Sequence, residues 1–291
     1  MVELEAATLL VGWAAGGWFF LWVTTRRREV GLGYGWLMRS IFLALAAGSL
    51  ILGAIDASPW SDEWATMARN VATAGLLGAG AMTLVQSIRL RSAGVAVQRA
   101  EVQRRSARVA EMTGIDRAET RFDPDVPEFP PVLDLYTAAV ALAATVFGAL
   151  AASGPTGLAL ARTLVGALFV GAVTSAMLLG HWYLVQPGLS RGPLLEMLRA
   201  AAVLWVPSVA VLLWPTGMVS VLNGTIDDGY NGLLGWFWVG CTALTILLVG
   251  VARAALRERQ YSAVMAATGL VYLAIVTAFG QDLVARILLA P

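Results

Sequence analysis

The amino-acid sequence predicts an all-α integral membrane protein with eight transmembrane helices. Of its 291 residues, 58% are hydrophobic and 13% are charged, and the mean hydropathy is +0.72. A soluble domain has about 45–50% apolar and 25% charged residues, so this composition excludes one. Eight stretches of about 20 apolar residues are each long enough to cross the roughly 30 Å hydrocarbon core of a bilayer.

The eight predicted spans follow one another with short connections, except for one long segment. In chain order they are 6–25, 34–55, 67–88, 132–153, 160–185, 196–214, 232–252 and 262–288. No basic n-region precedes the first span and no Ala-x-Ala site follows it, so we expect it to be retained rather than cleaved as a signal peptide. The chain is thus divided into residues 1–88 with three spans, the segment 89–131, and residues 132–291 with five spans.

The orientation of the spans follows from the arginines, which are the only basic residues besides His181 because the chain contains no lysine. Fifteen of the 20 arginines lie in four segments that fall on the same side of an eight-span protein, namely 26–31, 89–131, 186–195 and 253–261. The opposite connections carry acidic residues: Asp56, Asp62, Glu63, Asp227 and Asp228. By the positive-inside rule, both termini lie outside, which predicts an N-out/C-out protein of a bacterial cytoplasmic (inner) membrane.

The long segment 89–131 is predicted to be a cytoplasmic helical segment followed by a strap. Val95, Val102 and Val109 recur every seven residues with arginines between them, and the pattern ends at Gly114. This pattern is typical of a helix that continues the third span or lies on anionic lipid, and the alternative is a docking helix for a cytoplasmic partner. The following FDPDVPEFPP is proline-broken and predicts an extended strap. Nucleic-acid binding is not expected, since topology explains the arginines.

A possible internal repeat divides the spans into two sets of four. The first and fifth spans share the string Leu-Val-Gly, at residues 10–12 and 164–166, and both continue with small residues. The second and sixth spans each carry one arginine soon after they enter the membrane, Arg39 and Arg199. These matches favour two four-helix bundles as the architecture.

Composition excludes several kinds of chemistry. Without lysine the chain forms no Schiff base, which excludes a retinal protein and a lysine nucleophile. With one cysteine, Cys241, and one histidine, it holds no disulfide framework, no metal site of the usual kind and no bis-histidine haem, so we expect no metal or haem of its own. We find no phosphate-binding loop or hydrolase motif and no carboxylate in the middle of a span, which disfavours an ATPase, a hydrolase and an ion-coupled transporter.

The last span carries the first candidate binding cluster. Asp282 and Arg286 are four residues apart and share one helix face, and Gln281 adds a polar neighbour. Arg162 in the fifth span lies at a comparable depth. Charged residues inside a span are costly and mark functional sites, but an Asp282–Arg286 clamp with snorkelling arginines accounts for them equally well.

The string GHWYLVQPG, which closes the fifth span, carries the second candidate cluster. His181 and Tyr183 lie near the cytoplasmic interface in this string. A histidine and a tyrosine are able to bond the two oxygens of a quinone headgroup, whereas the alternative is an aromatic belt with a hydrogen-bonded imidazole.

Three strings resemble the eight-span membrane-anchor subunits of dimethyl sulfoxide reductase and polysulfide reductase type enzymes. They are LLVGWAAGGWFFLW in the first span, LFVGAVTSAMLLG in the fifth, and AFGQDLVAR in the last, which is similar to that family's Gly-acid-Leu-x-x-Arg pattern. The resemblance implies an integral subunit without its own cofactor that binds quinol or quinone and passes electrons to an iron–sulfur protein on the outer face. Only Asp282 and Arg286 have a clear counterpart in it.

The function expected from the sequence is an integral membrane subunit of an electron-transfer complex. It binds quinone or quinol, or anchors a redox partner that carries iron–sulfur clusters or haem, in contact with membrane lipids. As an enzyme it is at most the quinol-interacting part of an oxidoreductase, with no catalytic residue assigned. A lipid or small-molecule transporter or channel without ion coupling, and a purely structural scaffold, are the alternatives.

Overall fold

A computed structural model describes most of the chain, including all eight predicted spans. The described residues are 6–55, 63–97, 99–100, 103–104, 107, 111, 122–123, 125–186 and 189–289. Asp56 and Asp62 lie outside them, as do Val102, Val109 and Gly114, on which the predicted cytoplasmic helix depends. Within the described ranges the secondary structure is helical and contains no β-strand.

Within the described residues, eight helices are long and apolar enough to cross a membrane, which confirms the predicted class. They are α1 (Ala6–Thr25), α2 (Leu32–Ile55), α3 (Glu63–Arg89), α4 (Val132–Ala151), α5 (Thr156–Val185), α6 (Gly192–Leu213), α7 (Leu233–Ala255) and α8 (Tyr261–Leu288). Each of α3, α5 and α6 begins one turn before the predicted span, because the hydrogen bonding of a helix is not bounded by the window that hydropathy selects. A short helix, Gly217–Leu222, and a 3₁₀ turn, Leu90–Ala93, lie in the connections.

Helices α1 and α5 form the centre of the molecule. In each of them 72% of the most apolar window is buried, compared with 28–44% in the other six spans. A helix that is apolar on all sides is typically surrounded by other helices. Accordingly, α1 packs against α2, α4 and α5, and α5 packs against α1, α6 and α8.

Most of the remaining contacts lie within the first half of the chain, α1–α4, or within the second half, α5–α8, while α4 also packs on α5. In the first half α2 packs on α3 and α3 on α4, and in the second half α6 packs on α7 and α7 on α8. Each half is therefore a ring of four helices in which the fourth returns to the first. The α1–α5 contact is the most extensive one between the halves.

The crossing of α1 and α5 depends on glycine. A Cβ atom on Gly16 would overlap the carbonyl oxygen of Ala167, and one on Gly171 would overlap the backbone of Gly16. Small residues of this kind let two backbones touch, which is how helices associate inside a bilayer. Beside the crossing, Trp13 Nε1 donates a hydrogen bond of 2.7 Å to Thr174 Oγ1.

Four connections meet at one end of the molecule, which we call the arginine-rich end. Its described residues are 26–31, 90–97, 99–100, 103–104, 107, 111, 122–123, 125–131, 186, 189–191 and 256–260. Glu128 of the strap pairs with Arg28, at 2.9 Å, and with Arg99. The ring of Phe122 lies against Gly94, whose φ of +64° suits glycine. Arg191 donates to the carbonyl oxygens of Leu256 and Gln260 at 2.8 and 3.0 Å. These contacts tie the first connection to the second and the third to the fourth.

At the opposite end, Asp228 organises the turn that leads into α7. Its carboxylate accepts hydrogen bonds from the backbone N–H groups of Tyr230, Gly232 and Leu234 at 2.8–2.9 Å. Desolvation acts to raise the pKa of Asp228, but these donors outweigh it and hold the pKa below its ordinary value. The ionised form is therefore the one that the fold stabilises.

We expect this turn to loosen in acid. Because the folded state lowers the pKa of Asp228, its stabilising effect is complete above the ordinary value of about 3.9 and is lost as the pH falls through the lowered value. Hydrogen exchange should show lower protection factors for Tyr230, Gly232 and Leu234 at about pH 2.5 than at pH 7. Asp228→Ala should remove the protection at both pH values. Equal protection of the wild type at the two pH values would contradict this assignment.

Candidate functional site

The Asp282–Arg286 pair lies on α8, where that helix packs against α5. Arg286 Nε lies 2.6 Å from Asp282 Oδ2, and the aspartate side chain is 6% exposed. A Cβ atom on Gly166 of α5 would lie 2.6 Å from Asp282 Oδ1 and 3.0 Å from Arg286 Nη2. The two helices approach closely here because position 166 has no side chain.

Gln281 extends this pair toward α6. Its Nε2 donates to Ser208 Oγ at 3.0 Å, and the whole residue is buried. Its Oε1 is also buried and has no hydrogen-bond partner among the described residues. Asp282, Arg286, Gln281 and Ser208 together form what we call the Asp282 cluster, between α5, α6 and α8.

Arg162 lies one turn before Gly166 on α5. The sequence placed it in a binding cluster with Asp282, but in the structure it contacts the end of α6. Its Nε donates to the carbonyl oxygen of Val211 and its Nη2 to that of Trp214, both at 3.0 Å. These carbonyls end α6 and have no partner within the helix, so the guanidinium caps that helix. Among the described contacts, Arg162 makes no hydrogen bond to the Asp282 cluster.

His181 pairs with a residue that the sequence did not suggest. Its Nδ1 lies 3.0 Å from Tyr272 Oη, and the two rings meet edge to face with their centroids 6.3 Å apart. His181 is exposed, and Tyr272, in the middle of α8, is 42% exposed. Exposed apolar side chains surround the pair on these two helices, among them Leu184, Leu273 and Val276. The His181–Tyr272 pair therefore lies on the surface that faces lipid.

Tyr183 is not part of this pair. Its side chain is buried, and its hydroxyl donates to the carbonyl oxygen of Ser190. Its own carbonyl oxygen accepts from Tyr261 Oη at 3.3 Å. Because residues two apart on a helix point to nearly opposite sides, His181 and Tyr183 do not present their polar groups to one ligand.

A buried ion pair in the first half was missed by sequence reasoning. Arg39 Nε and Nη2 donate to Asp134 Oδ1 and Oδ2, both at 2.8 Å, and the side chains are 1% and 0% exposed. The guanidinium lies 4.5 Å from the centre of the Phe129 ring, and Arg39 Nη1 is a buried donor without a partner in the described part of the chain. The one available signal was that both residues lie near the predicted cytoplasmic ends of their spans. This pair ties α2 to α4 across the ring of the first half.

The described residues contain no group of three or more histidine, cysteine, aspartate or glutamate side chains placed to hold a metal ion. Comparison of the chain with models of protein families, with curated proteins and with solved structures finds no match. The resemblance carried by the three sequence strings therefore stays a prediction.

Proposed function

We propose that this chain is a quinone- or quinol-binding integral membrane subunit of an electron-transfer complex. The observation that carries the proposal is the His181–Tyr272 pair on the lipid-facing surface. Polar groups directed toward hydrocarbon are costly, and inside membranes they mark ligand sites. Quinones dissolve in the bilayer, so a headgroup reaches this surface laterally, without an aqueous entrance.

The pair suits both redox forms of such a ligand. When Tyr272 Oη donates to Nδ1, the ring proton of His181 is on Nε2, which then donates to a quinone carbonyl. When Nδ1 donates to Tyr272, Nε2 is an acceptor for a quinol hydroxyl. Nε2 has no hydrogen-bond partner among the described residues, so it is available for either role.

The chain's own part is to bind and orient the headgroup and to hold a proton at Nε2 of His181. Oxidation of a quinol releases two electrons and two protons. We propose that the electrons leave through a partner subunit that carries iron–sulfur clusters or haem. In this proposal the chain is the quinol-interacting part of an oxidoreductase rather than a complete enzyme.

The Asp282 cluster is the second candidate location for the same ligand. The unpartnered Oε1 of Gln281 would accept a hydrogen bond from a quinol hydroxyl, and the carboxylate of Asp282 lies beside it in sequence. Satisfying a buried acceptor of this kind is worth roughly 1–3 kcal/mol. Because the Asp282 cluster is largely buried, a headgroup reaches it only by entering between helices. The cluster is therefore less accessible than the His181–Tyr272 pair.

The topology belongs to the same proposal. We propose two four-helix bundles, α1–α4 and α5–α8, joined through α1 and α5, with both termini outside a bacterial cytoplasmic membrane. The two rings of helix contacts support the bundles. The grouping of arginines at the arginine-rich end supports the orientation.

Measurements of quinone binding to variants distinguish the His181–Tyr272 pair from the Asp282 cluster as the binding site. We expect His181→Phe and Tyr272→Phe each to weaken binding of a short-chain quinone to the purified protein about fivefold. The first removes the hydrogen bond to the headgroup and the second removes the one that orients His181, and each is worth roughly 1 kcal/mol. Quenching of tryptophan fluorescence measures this binding. Tyr136→Phe is the matched control, since Tyr136 is a 65% exposed tyrosine on α4.

Three other outcomes are informative. If Asp282→Asn and Gln281→Leu weaken binding while the His181 and Tyr272 variants do not, the ligand lies in the Asp282 cluster. If Tyr136→Phe weakens it equally, the effect is not specific to the pair. If the wild type neither binds the quinone nor retains any on purification, the proposed function is wrong, and a transporter, channel or scaffold takes its place.

A further inference from the structure

A group of charged side chains, separate from the two candidate quinone sites, lies on the membrane surface where the end of α1 meets α6. Glu196 of α6 is contacted by two arginines, by Arg26 Nη2 at 2.5 Å and by Arg27 Nη2 at 3.3 Å. The arginine side chains remain 36% and 48% exposed, and the guanidinium of Arg26 stands 5.4 Å from the centre of the Trp22 ring. Glu196 thus fixes both arginines without covering them.

Arg199 adds a third guanidinium one turn further along α6. It is exposed, and no described residue makes a hydrogen bond or ion pair with it. It is the eighth residue of α6, so its Cα lies roughly 10 Å inward from the start of that helix. Val203 and Val206 are exposed on the same face, which shows that this face is the lipid-facing one.

The unpaired guanidinium of Arg199 is costly inside the membrane unless an anion pairs with it. A guanidinium that faces hydrocarbon reaches back toward the headgroups, where phosphate oxygens accept its N–H groups in a bidentate arrangement. The three arginines and Glu196 together leave two positive charges on this surface. Tryptophan beside arginine is typical of the headgroup level, as Trp22 is here.

We propose that Arg26, Arg27 and Arg199 form a binding site for the phosphate of an anionic phospholipid. Glu196 positions the first two arginines, and the acyl chains lie along the apolar face of α6 below Arg199. An anionic headgroup is favoured over a zwitterionic one because it carries no positive group that offsets the charge of its phosphate and repels the arginines. This site is independent of the proposed quinone function.

Native mass spectrometry of the detergent-purified protein tests the site. We expect phosphatidylglycerol to remain bound where phosphatidylcholine with the same acyl chains does not, and Arg199→Gln to weaken binding of phosphatidylglycerol about fivefold. Arg199 has no described partner to lose, so its variant should keep the thermal stability of the wild type in lipid-free detergent. Arg91→Gln is the matched control, since it removes the same charge from an exposed position of the arginine-rich end that does not touch Glu196.

The proposal is overturned if Arg199→Gln binds phosphatidylglycerol as the wild type does, or if Arg91→Gln loses as much affinity. It is also overturned if inorganic phosphate at an equal concentration displaces the lipid, because the site would then bind a free anion. Equal retention of phosphatidylcholine would show that charge does not select the ligand, and it too would reject the proposal.

Discussion

Asp134→Asn is expected to destabilise the protein by about 3–5 kcal/mol, the usual effect of removing one partner from a buried ion pair. The variant leaves the Arg39 guanidinium charged inside a site where the two side chains are 1% and 0% exposed. A guanidinium does not become neutral by losing a proton, so the buried charge persists. Unfolding in detergent, followed by the loss of helical circular dichroism, measures the effect.

Two companion variants make this test specific. Arg39→Gln should cost less than Asp134→Asn, because the remaining carboxyl is able to take up a proton and become neutral. The double variant Arg39→Leu/Asp134→Leu should recover much of the loss, since an apolar pair needs no desolvation of charge. Arg28→Gln, which removes a half-exposed ion pair with Glu128, should change the stability by less than about 1 kcal/mol. A loss of similar size in all four variants would show that the buried pair has no special role.

Gly16→Ala is expected to disrupt the contact between the two halves of the protein. The added methyl group would overlap the carbonyl oxygen of Ala167, and backbone is not able to move aside as a flexible side chain does. Overpacking of this kind costs about 1–3 kcal/mol, and we expect the upper end of that range because α1 and α5 are the two most buried helices. The melting temperature of the purified protein measures the effect.

Gly78→Ala provides the matched control for this substitution. Position 78 lies within α3, and a Cβ atom there has no neighbour within 4 Å. Alanine is the better helix former by about 1 kcal/mol, so this variant should be as stable as the wild type or slightly more stable. If both glycine variants behave alike, the close approach of α1 and α5 does not determine stability.

The helices were predictable because the bilayer fixes their length and composition. The predicted spans reproduce all eight long helices, and the largest differences, at the starts of α3, α5 and α6, arise where a helix begins one turn before the predicted span. A hydropathy pattern detects the hydrocarbon core rather than the hydrogen bonding of the backbone. The cytoplasmic helix predicted after Arg89 depends on residues outside the described ranges.

The candidate sites were predictable only where both partners lie on one helix. The spacing of Asp282 and Arg286 places them on one face, and the structure joins them at 2.6 Å. Spacing carries no information on pairs between distant spans, so neither the partner of His181, 91 residues later, nor the Arg39–Asp134 pair was foreseen. Arg162 shows the converse, because its depth suggested a binding role while its contacts are the carbonyls that end α6.

The glycine crossing of α1 and α5 also has a consequence for biosynthesis. Gly16 is made 155 residues before Gly171, so α1 enters the membrane long before the helix that covers its small-residue face exists. During that interval α2 and α4 are added on other sides of α1, with α3 between them, and the glycine face of α1 stays open to lipid. We therefore expect the nascent first half to be a stable four-helix intermediate that exposes the glycine face of α1. The second half then packs onto this face as the ribosome completes it.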